Sequence, residues 1–166
     1  MTIDQYLENI SGKTAELFSL SCFVGAYESG SSERFAKNCG KIGENIGLAF
    51  QIIDDVLDYT QSTEQIGKPV LEDVRQGVYS LPLLYALEEG RETLLPYLEK
   101  GENLTDNETD KIYELVHSFG GVSKAQKLAE KYTQQALKGI TKLPETTTDA
   151  KKQLLEITQA ILVRQN

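Results

Sequence analysis

Three aspartates inside an apolar segment with helical spacing constrain this sequence more than any other feature. Asp54, Asp55 and Asp58 lie in a stretch, residues 42–67, that contains no lysine or arginine. On a helix, Asp54 and Asp58 project from one face, with Gln51 one turn earlier on the same side. Like charges at this spacing repel, and the apolar neighbours exclude part of the water that would screen them. We therefore expect a helix whose end requires a cation.

The cation that suits this pattern is magnesium held against a diphosphate. Mg²⁺ usually takes one or two carboxylates, and substrate phosphates complete its octahedron. A solvated acidic face is the usual alternative, but such a face is interspersed with lysines and arginines, and this segment has none. An EF-hand loop is excluded because Tyr59 and Gln65 occupy the positions that need glycine and glutamate. A di-iron bundle is excluded because His117 is the only histidine.

Composition indicates an ordinary soluble globular domain. The chain has 166 residues, of which 40% are apolar and 25% charged, and its net charge is −8. This charge argues against nucleic acid or an anionic membrane surface as a partner. Cys22 and Cys39 are neither numerous nor in C-x-x-C spacing, which favours a reducing compartment. Since the sequence has no long apolar run and no basic-then-apolar N-terminus, we expect a cytoplasmic protein without a membrane span.

Helical periodicity accounts for nearly the whole chain. Thr105 and Glu108 form a capping-box pattern at the start of one helix, and a Gly-Gly pair after Phe119 ends that helix. No alternating strand pattern is present, so the predicted fold class is all-α, within a single domain over residues 1–166. The predicted helices cover about residues 4–28, 33–60, 71–76, 81–89, 92–99, 105–119, 122–142 and 148–164, with a loop at 61–69.

Two lysines have positions that suit binding of an anion near the aspartates. On a helical wheel of the first helix, Lys13 lies on the apolar side between Leu17 and Leu20. Its ammonium can point inward at an anion with Thr14 beside it, or it can snorkel at the edge of the core. Lys68 stands between a glycine and a proline in the loop after the aspartates, where its alternative is an ordinary solvated lysine.

Five motifs in this order resemble those of the trans-isoprenyl (polyprenyl) diphosphate synthases. The resemblance covers residues 1–87 by motif, and the Gly120-Gly121 break before a long helix is similar to the family's C-terminal part. It implies the isoprenoid-synthase helical bundle, of which this chain would be a C-terminal, partial domain. The motifs are Gly12-Lys13-Thr14-Ala15, Gly47-x-x-Phe50-Gln51-x-x-Asp54-Asp55-x-x-Asp58-Tyr59, Gly67-Lys68-Pro69, Asp73-Val74-x-x-Gly77 and Leu81-Pro82-x-x-Tyr85-Ala86-Leu87.

The resemblance implies that the aspartates are the family's second aspartate-rich motif. Asp54, Asp55 and Asp58 would hold Mg²⁺ against the diphosphate of the allylic substrate, and together with Lys13 they would form the catalytic set. Metal and lysines would stabilise the departing diphosphate, so that an allylic carbocation forms and is attacked by the double bond of isopentenyl diphosphate. The implied activity is head-to-tail elongation by a prenyltransferase.

The resemblance also implies a set of residues that bind the allylic diphosphate. Lys13, Gln51 and Lys68 would bind the diphosphate itself, and Thr14 would help to position it. Phe50 would line the apolar pocket, whose walls must not intercept a cation.

Two departures from the family pattern bear on these assignments. The family's first aspartate-rich motif and the basic residues before it do not occur in this sequence, so the chain is similar to the C-terminal half of a longer enzyme. Val78 stands where short-chain members have a lysine. At this position the chain resembles medium- and long-chain synthases, of the hexaprenyl and heptaprenyl type, that make quinone side chains.

Half of a helical bundle is expected to leave apolar helix faces uncovered. We therefore expect the first two predicted helices to expose apolar surface, and the chain to form a homodimer or to associate with a complementary chain. Alone, it should bind Mg²⁺-diphosphate weakly and transfer little or no prenyl group. The alternative is a non-catalytic or regulatory subunit that binds metal-diphosphate or a partner chain. Terpene cyclases and head-to-head synthases use similar aspartate clusters, but the Lys-Thr helix and the Gly-Lys-Pro loop favour chain elongation.

Overall fold

The structure is a computed structural model that describes residues 1–60, 73–145 and 148–162. Within these ranges all regular secondary structure is helical and no strand occurs, which confirms the predicted all-α class. None of the helices in these ranges is both long enough and apolar enough to cross a membrane.

The described residues form seven α-helices, numbered here in chain order. A π-helical turn, Ser11–Ala15, joins the first two, and a 3₁₀ turn, Gly101–Asn103, precedes the fifth. The predicted bounds lie close to these wherever the structure describes the chain; the predicted helix at 71–76 falls partly outside, and residues 73–75 form a helical turn. The helices are α1 (Ile3–Ile10), α2 (Glu16–Glu28), α3 (Glu33–Leu57), α4 (Leu81–Leu98), α5 (Asp106–Ser118), α6 (Gly121–Thr141) and α7 (Ala150–Leu162).

The π turn interrupts what the sequence predicted as one helix from residue 4 to 28. The amide of Glu16 donates to the carbonyl of Ser11, five positions earlier, in place of the usual four. Gly12 lies inside the turn, where the absence of a side chain lowers the barrier to irregular backbone. Such turns widen a helix locally and are frequent at functional sites. This one carries Lys13 and Thr14.

A second interruption lies inside α4, at Gly90. Its backbone angles, φ −127° and ψ 37°, are not helical, so the predicted separation of this segment into helices at 81–89 and 92–99 is confirmed. A Cβ placed on Gly90 would lie 2.2 Å from the ring of Phe119, so only glycine lets that ring pack against the α4 backbone.

The chain divides into two compact units, each described here by itself. One consists of Leu7–Ile53 and Leu128–Asn166, and we call it the α2 unit. The other consists of Met1–Tyr6 and Asp54–Lys127, and we call it the α4 unit. The single domain over residues 1–166 stays a prediction.

In the α2 unit, α3 packs against α6 and α7. Apolar residues three and four positions apart give α3 one continuous buried face. Gly139 on α6 allows close contact, because a Cβ there would lie 2.7 Å from the side chain of Ile42. The buried residues of this cluster are Ile42, Ile46 and Ala49 on α3, Ala136 and Ile140 on α6, and Leu162 on α7.

Two glycines of α3 let the backbones of neighbouring segments approach it closely. A Cβ on Gly43 would lie 2.3 Å from the carbonyl oxygen of Phe18 on α2. A Cβ on Gly47 would lie 2.5 Å from the Cα of Ala15, the last residue of the π turn. The π turn and the start of α2 are therefore fixed directly against the middle of α3.

In the α4 unit, the core contains both ends of α4, the middle of α5 and Tyr59. Leu81, Leu83 and Leu94 of α4 and Val116 of α5 are each 0% exposed, and Tyr59 is 1% exposed. The core therefore reaches the residues that directly follow α3, next to the aspartates at its C-terminal end.

The Asp-Val-x-x-Gly motif of the sequence ends the helical turn at residues 73–75. The amide of Gly77 donates to the Val74 carbonyl at 3.1 Å, and the amide of Val78 donates to the Asp73 carbonyl at 2.8 Å. This double hydrogen bond is the Schellman arrangement, which needs a left-handed residue, and Gly77 has φ +76°. Glycine is required here by backbone geometry.

Apolar side chains are exposed along one face of α2. Leu17, Leu20, Val24 and Tyr27 are 65%, 55%, 43% and 50% exposed, and their spacing puts them on one face. We call these four residues the α2 stripe. The expected apolar surface is thus present on the first predicted helix. The same expectation is wrong for most of the second, because its apolar residues are buried; these are Ile42, Ile46, Leu48, Ala49, Ile52 and Val56.

The close approach at Gly43 gives a stability prediction with a matched control. We expect Gly43→Ala to lower the free energy of unfolding by about 2–3 kcal/mol, because the new methyl group meets a backbone carbonyl that cannot move aside. Gly25→Ala, on α2, meets nothing within 4 Å and should raise the same quantity by up to about 1 kcal/mol through helix propensity. Urea unfolding of both variants measures the difference, and equal effects would contradict the packing described here.

Candidate functional site

The three aspartates lie at the C-terminal end of α3. Asp54 and Asp55 are in its last turn, and Asp58 follows its final residue, Leu57. Asp54 and Asp55 are half-buried, whereas Asp58 is exposed. A helix C-terminus carries partial negative charge that repels anions, and the last turn of α3 contains no basic residue. This helix end therefore favours a cation.

Asp55 is held by two hydrogen-bond donors from other helices. The hydroxyl of Tyr6 donates to its Oδ2 at 2.7 Å, and the backbone amide of Leu81 donates to the same oxygen at 2.9 Å. Tyr6 is 6% exposed, and burial together with the charge of Asp55 raises the pKa of its hydroxyl far above the usual value, so it stays a donor. Since Leu81 is the first residue of α4, the carboxylate of Asp55 meets the positive end of that helix.

The surroundings of Asp58 disfavour its ionised form. Loss of hydration, followed by repulsion from Asp55, Asp54 and Asp73, raises the pKa of Asp58 to about 6. A carboxylate whose neutral form is favoured in this way is stabilised in its ionised form by a nearby cation.

The end of α3 is fixed through the carbonyl group of Tyr59. This carbonyl accepts hydrogen bonds from the hydroxyl of Tyr113 at 2.6 Å and from Nε2 of His117 at 2.8 Å. A carbonyl can only accept, so Nε2 of His117 carries the hydrogen. The rings of Tyr59 and Tyr113 also stack with centroids 5.6 Å apart. These contacts satisfy the backbone carbonyl of a buried residue that lies two positions beyond the end of α3.

The α2 unit brings together two of the residues assigned to diphosphate binding. The hydroxyl of Thr14 donates to Oε1 of Gln51 at 3.2 Å, and both residues are half-buried. Because Gln51 accepts through its oxygen, its amide nitrogen remains the end that can donate to an anion. Phe50 packs against Phe18 with ring centroids 5.9 Å apart. Lys13 is exposed and lines an open groove beside the start of the α2 stripe.

Magnesium fits the helix end as an ion shared with a substrate. In the described parts of the chain, no three or more histidine, cysteine, aspartate or glutamate side chains converge into a group that could enclose a metal. Mg²⁺ does not need such a group, because one or two carboxylates and substrate phosphates suffice. Asp54 and Asp58, one turn apart, offer such carboxylates. Lys68, the remaining residue assigned to the diphosphate, lies outside the described residues.

Comparison with known protein families shows which family the chain belongs to. It matches the family described as Polyprenyl synthetase over residues 1–116. The chain belongs to the polyprenyl synthetase family. The predicted resemblance to trans-polyprenyl diphosphate synthases is thereby confirmed.

Relatives of this chain include enzymes named for long prenyl products. Solanesyl diphosphate synthase 2, chloroplastic, of Arabidopsis thaliana is 36% identical over 144 residues, which is 87% of this chain and 34% of that protein. Heptaprenyl diphosphate synthase component 2 of Bacillus subtilis (strain 168) is 36% identical over 144 residues, 84% of this chain and 40% of that protein. Both names support the medium- and long-chain group.

A solved structure gives the same relationship at the level of the fold. The geranylgeranyl pyrophosphate synthase from Lactobacillus brevis ATCC 367 matches with a TM-score of 0.91 and 41% identity, over 99% of this chain and 52% of that one. The isoprenoid-synthase bundle predicted from the motifs is therefore confirmed. The chain spans between about a third and a half of the length of these relatives.

No sequence pattern assigned Tyr6, Tyr113 or His117 to the end of α3. Tyr6 and Asp55 are 49 positions apart in the chain, so no local pattern relates them. One signal was available for Tyr6: it shares the apolar face of α1 with Ile10, and a buried tyrosine hydroxyl needs a partner.

The raised pKa of Asp58 gives a pH-dependent stability prediction for the metal-free chain. The folded pKa of about 6 lies above the ordinary value of 3.8, so ionisation at neutral pH opposes folding, and this penalty disappears as the pH falls through 6 toward 4. We expect Asp58→Asn to raise the free energy of unfolding by about 1 kcal/mol at pH 7, after allowance for solvent screening, and by nothing near pH 4.

Thermal melts in EDTA between pH 4 and pH 8 measure this effect. Asp110→Asn, at an exposed position on α5, is the control for the change in net charge alone. Equal effects of the two substitutions at pH 7, or a loss of stability in Asp58→Asn, would contradict the electrostatic account of the cluster.

Proposed function

We propose that this chain supplies the allylic-diphosphate side of a polyprenyl diphosphate synthase. The observation that carries the proposal is the concentration of negative charge at the end of α3. Asp54, Asp55 and Asp58 lie at the negative end of a 25-residue helix whose last turn has no basic residue. Together with membership of the family, this favours binding of a cation and, through the cation, of a diphosphate.

In the proposed site, Asp54 and Asp58 present carboxylates to Mg²⁺. When bound, Mg²⁺ would supply positive charge that stabilises the departing diphosphate. The raised pKa of Asp58 supports this role, because a carboxylate whose ionisation is opposed by its surroundings is stabilised by a nearby cation. Ionised carboxylates at these two positions would also orient the ion on one face of the helix.

The proposed binding set for the diphosphate itself consists of Lys13, Thr14, Gln51 and Lys68. The hydrogen bond from Thr14 to Gln51 supports this assignment, because it orients the Gln51 amide with its N–H groups free to donate. The exposed ammonium of Lys13 adds a positive charge one residue away in the π turn. Phe50 is proposed as an apolar wall of the pocket, and its packing against Phe18 supports a fixed ring position.

The proposed reaction is head-to-tail elongation of an allylic prenyl diphosphate. The bond between the allylic carbon and the diphosphate breaks, and the double bond of isopentenyl diphosphate attacks the resulting carbocation. A proton is then lost, and the released diphosphate can accept it. Relatives named for solanesyl and heptaprenyl diphosphates support a medium- or long-chain product, of the kind used for quinone side chains.

We propose a reducing, cytoplasmic location, which agrees with two free cysteines among the described residues.

The proposed synthase acts with a second polypeptide, either another copy of this chain or a complementary one. The exposed α2 stripe supports this, because a face of large apolar side chains is stabilised by burial. The name of one relative, heptaprenyl diphosphate synthase component 2, also points to an enzyme with more than one component. A second candidate function is a non-catalytic subunit that binds metal-diphosphate, for which the acidic end of α3 is equally suited.

Binding of farnesyl diphosphate by calorimetry tests the site. We expect weak binding in the presence of Mg²⁺, its loss in EDTA, and a decrease of about tenfold or more in affinity in Asp54→Asn, because one metal carboxylate is removed. Asp110→Asn, which changes the net charge equally at an exposed position, should bind like the unsubstituted chain. Binding that depends neither on Mg²⁺ nor on Asp54 would contradict the proposed metal site.

Transfer of isopentenyl diphosphate tests whether this chain catalyses elongation by itself. We expect the chain alone to incorporate no labelled isopentenyl diphosphate into a longer product, because the sequence has only one aspartate-rich motif. Product formation by the chain alone, if Asp54→Ala abolished it, would show instead that one motif is sufficient.

A further inference from the structure

Asp55 has contacts that differ from those expected of a metal ligand. One of its carboxylate oxygens, Oδ2, accepts a hydrogen bond from the hydroxyl of Tyr6 at 2.7 Å and another from the backbone amide of Leu81 at 2.9 Å. Both donors come from elements other than α3. These two donors occupy Oδ2 and fix the orientation of the carboxylate, so a cation would have to reach the other oxygen of a side chain that is already held from two other helices.

The start of α4 depends on this carboxylate for a cap. The residue at the N-cap position is Ser80, but its side chain makes no capping hydrogen bond. Its hydroxyl donates to the hydroxyl of Tyr59 at 3.3 Å instead. Asp55 supplies the missing acceptor, and it also places a negative charge at the positive end of the first segment of α4, before the interruption at Gly90.

The charge of Asp55 is therefore compensated inside the protein. An amide at a helix N-terminus and a buried hydroxyl stabilise an ionised carboxylate. Asp58 has the opposite environment, since its side chain is exposed and lies at the negative end of α3, where the last turn contains no basic residue. The surrounding structure thus stabilises the ionised form of Asp55 more than that of Asp58.

We propose that Asp55 is the N-terminal cap of α4 and a positioning residue for the cluster, and that Asp54 and Asp58, not Asp55, hold the cation. Tyr6 contributes to this positioning, because its hydroxyl on α1 donates a hydrogen bond to the Asp55 carboxylate. The inference rests on the proposed metal site for the part that concerns Asp54 and Asp58. The capping role itself follows from the contacts of Asp55 alone.

Under this proposal, the stability of the metal-free chain and its metal affinity depend on different aspartates. If all three aspartates were ligands, each would affect metal affinity in the same way. If Asp55 is a cap, its side chain matters for stability without metal, and its charge matters little for metal affinity. If Asp54 and Asp58 are the ligands, their charges matter for metal affinity, and their removal does not destabilise the metal-free chain. Asp55→Asn is the informative variant, because asparagine keeps an oxygen that accepts both hydrogen bonds but loses the negative charge.

The experiment uses the full chain with Asn at each aspartate in turn, together with Asp55→Ala and Tyr6→Phe. Melting temperature is measured in EDTA, and Mn²⁺ affinity is measured by electron paramagnetic resonance of the free ion. We expect Asp55→Ala to melt about 5–10 °C below the unsubstituted chain, since a cap is lost and a buried hydroxyl is left unpaired, and Tyr6→Phe to melt about 2–4 °C below it. Asp55→Asn should stay close to the unsubstituted chain in melting temperature.

Metal affinity gives the second half of the comparison. We expect Asp55→Asn to retain Mn²⁺ affinity within about threefold, and Asp54→Asn and Asp58→Asn each to lose about tenfold or more. A loss in Asp55→Asn as large as in Asp54→Asn would overturn the inference, and so would an Asp55→Ala variant that melts with the unsubstituted chain. If Asp55→Ala does not fold, Tyr6→Phe and Asp55→Asn still provide both measurements.

Failure of the proposed function gives a different result. In that case the unsubstituted chain would bind no Mn²⁺, and none of the aspartates would matter for metal. The melting temperatures of Asp55→Ala and Tyr6→Phe would still decide whether Asp55 caps α4.

Discussion

The negative end of α3 is the constraint on which the surrounding structure depends. A helix of 25 residues ends in three carboxylates, where its own dipole already disfavours negative charge. The fold compensates one of these groups internally, through Tyr6 and the first amide of α4, and it fixes the chain just beyond through the Tyr59 carbonyl. In the proposed site, a bound cation would balance the charge of Asp58, whose ionisation its neighbours oppose. Stability and ligand binding are therefore opposed at this helix end, as is common where sites are built from like charges.

The positions of the helices could be predicted from the sequence because local signals mark them. The capping box at Thr105 is present in the structure, with the Glu108 side chain returning to the Thr105 amide at 3.1 Å. Gly90 interrupts α4 as predicted. The π turn at Ser11–Ala15 was not predicted, because apolar spacing continues through it and a single extra residue hardly changes the period. Burial of α3 was also missed, since a pattern gives the apolar face but not what covers it.

Only those residues of the candidate site that belong to short motifs could be predicted from the sequence. Thr14 and Gln51 were assigned to one ligand by family resemblance, and they form a hydrogen bond in the structure. The partners of Asp55 and Tyr59 lie tens of residues away in the chain and belong to no motif, so they needed a three-dimensional structure. The motif also presents the three aspartates as equivalent. Their neighbours make them different, and neighbours are what a one-dimensional pattern omits.

The α2 stripe links the proposed assembly to the proposed chemistry through one segment of chain. Lys13 and Thr14 lie in the π turn, and the first stripe residue, Leu17, comes one turn of helix after Lys13. The two glycines of α3 hold this segment at a fixed distance from α3 within the α2 unit. Burying one large apolar side chain contributes about 1.5–3 kcal/mol, so a partner that covers several stripe residues would be stabilised directly beside the residues proposed to hold the diphosphate.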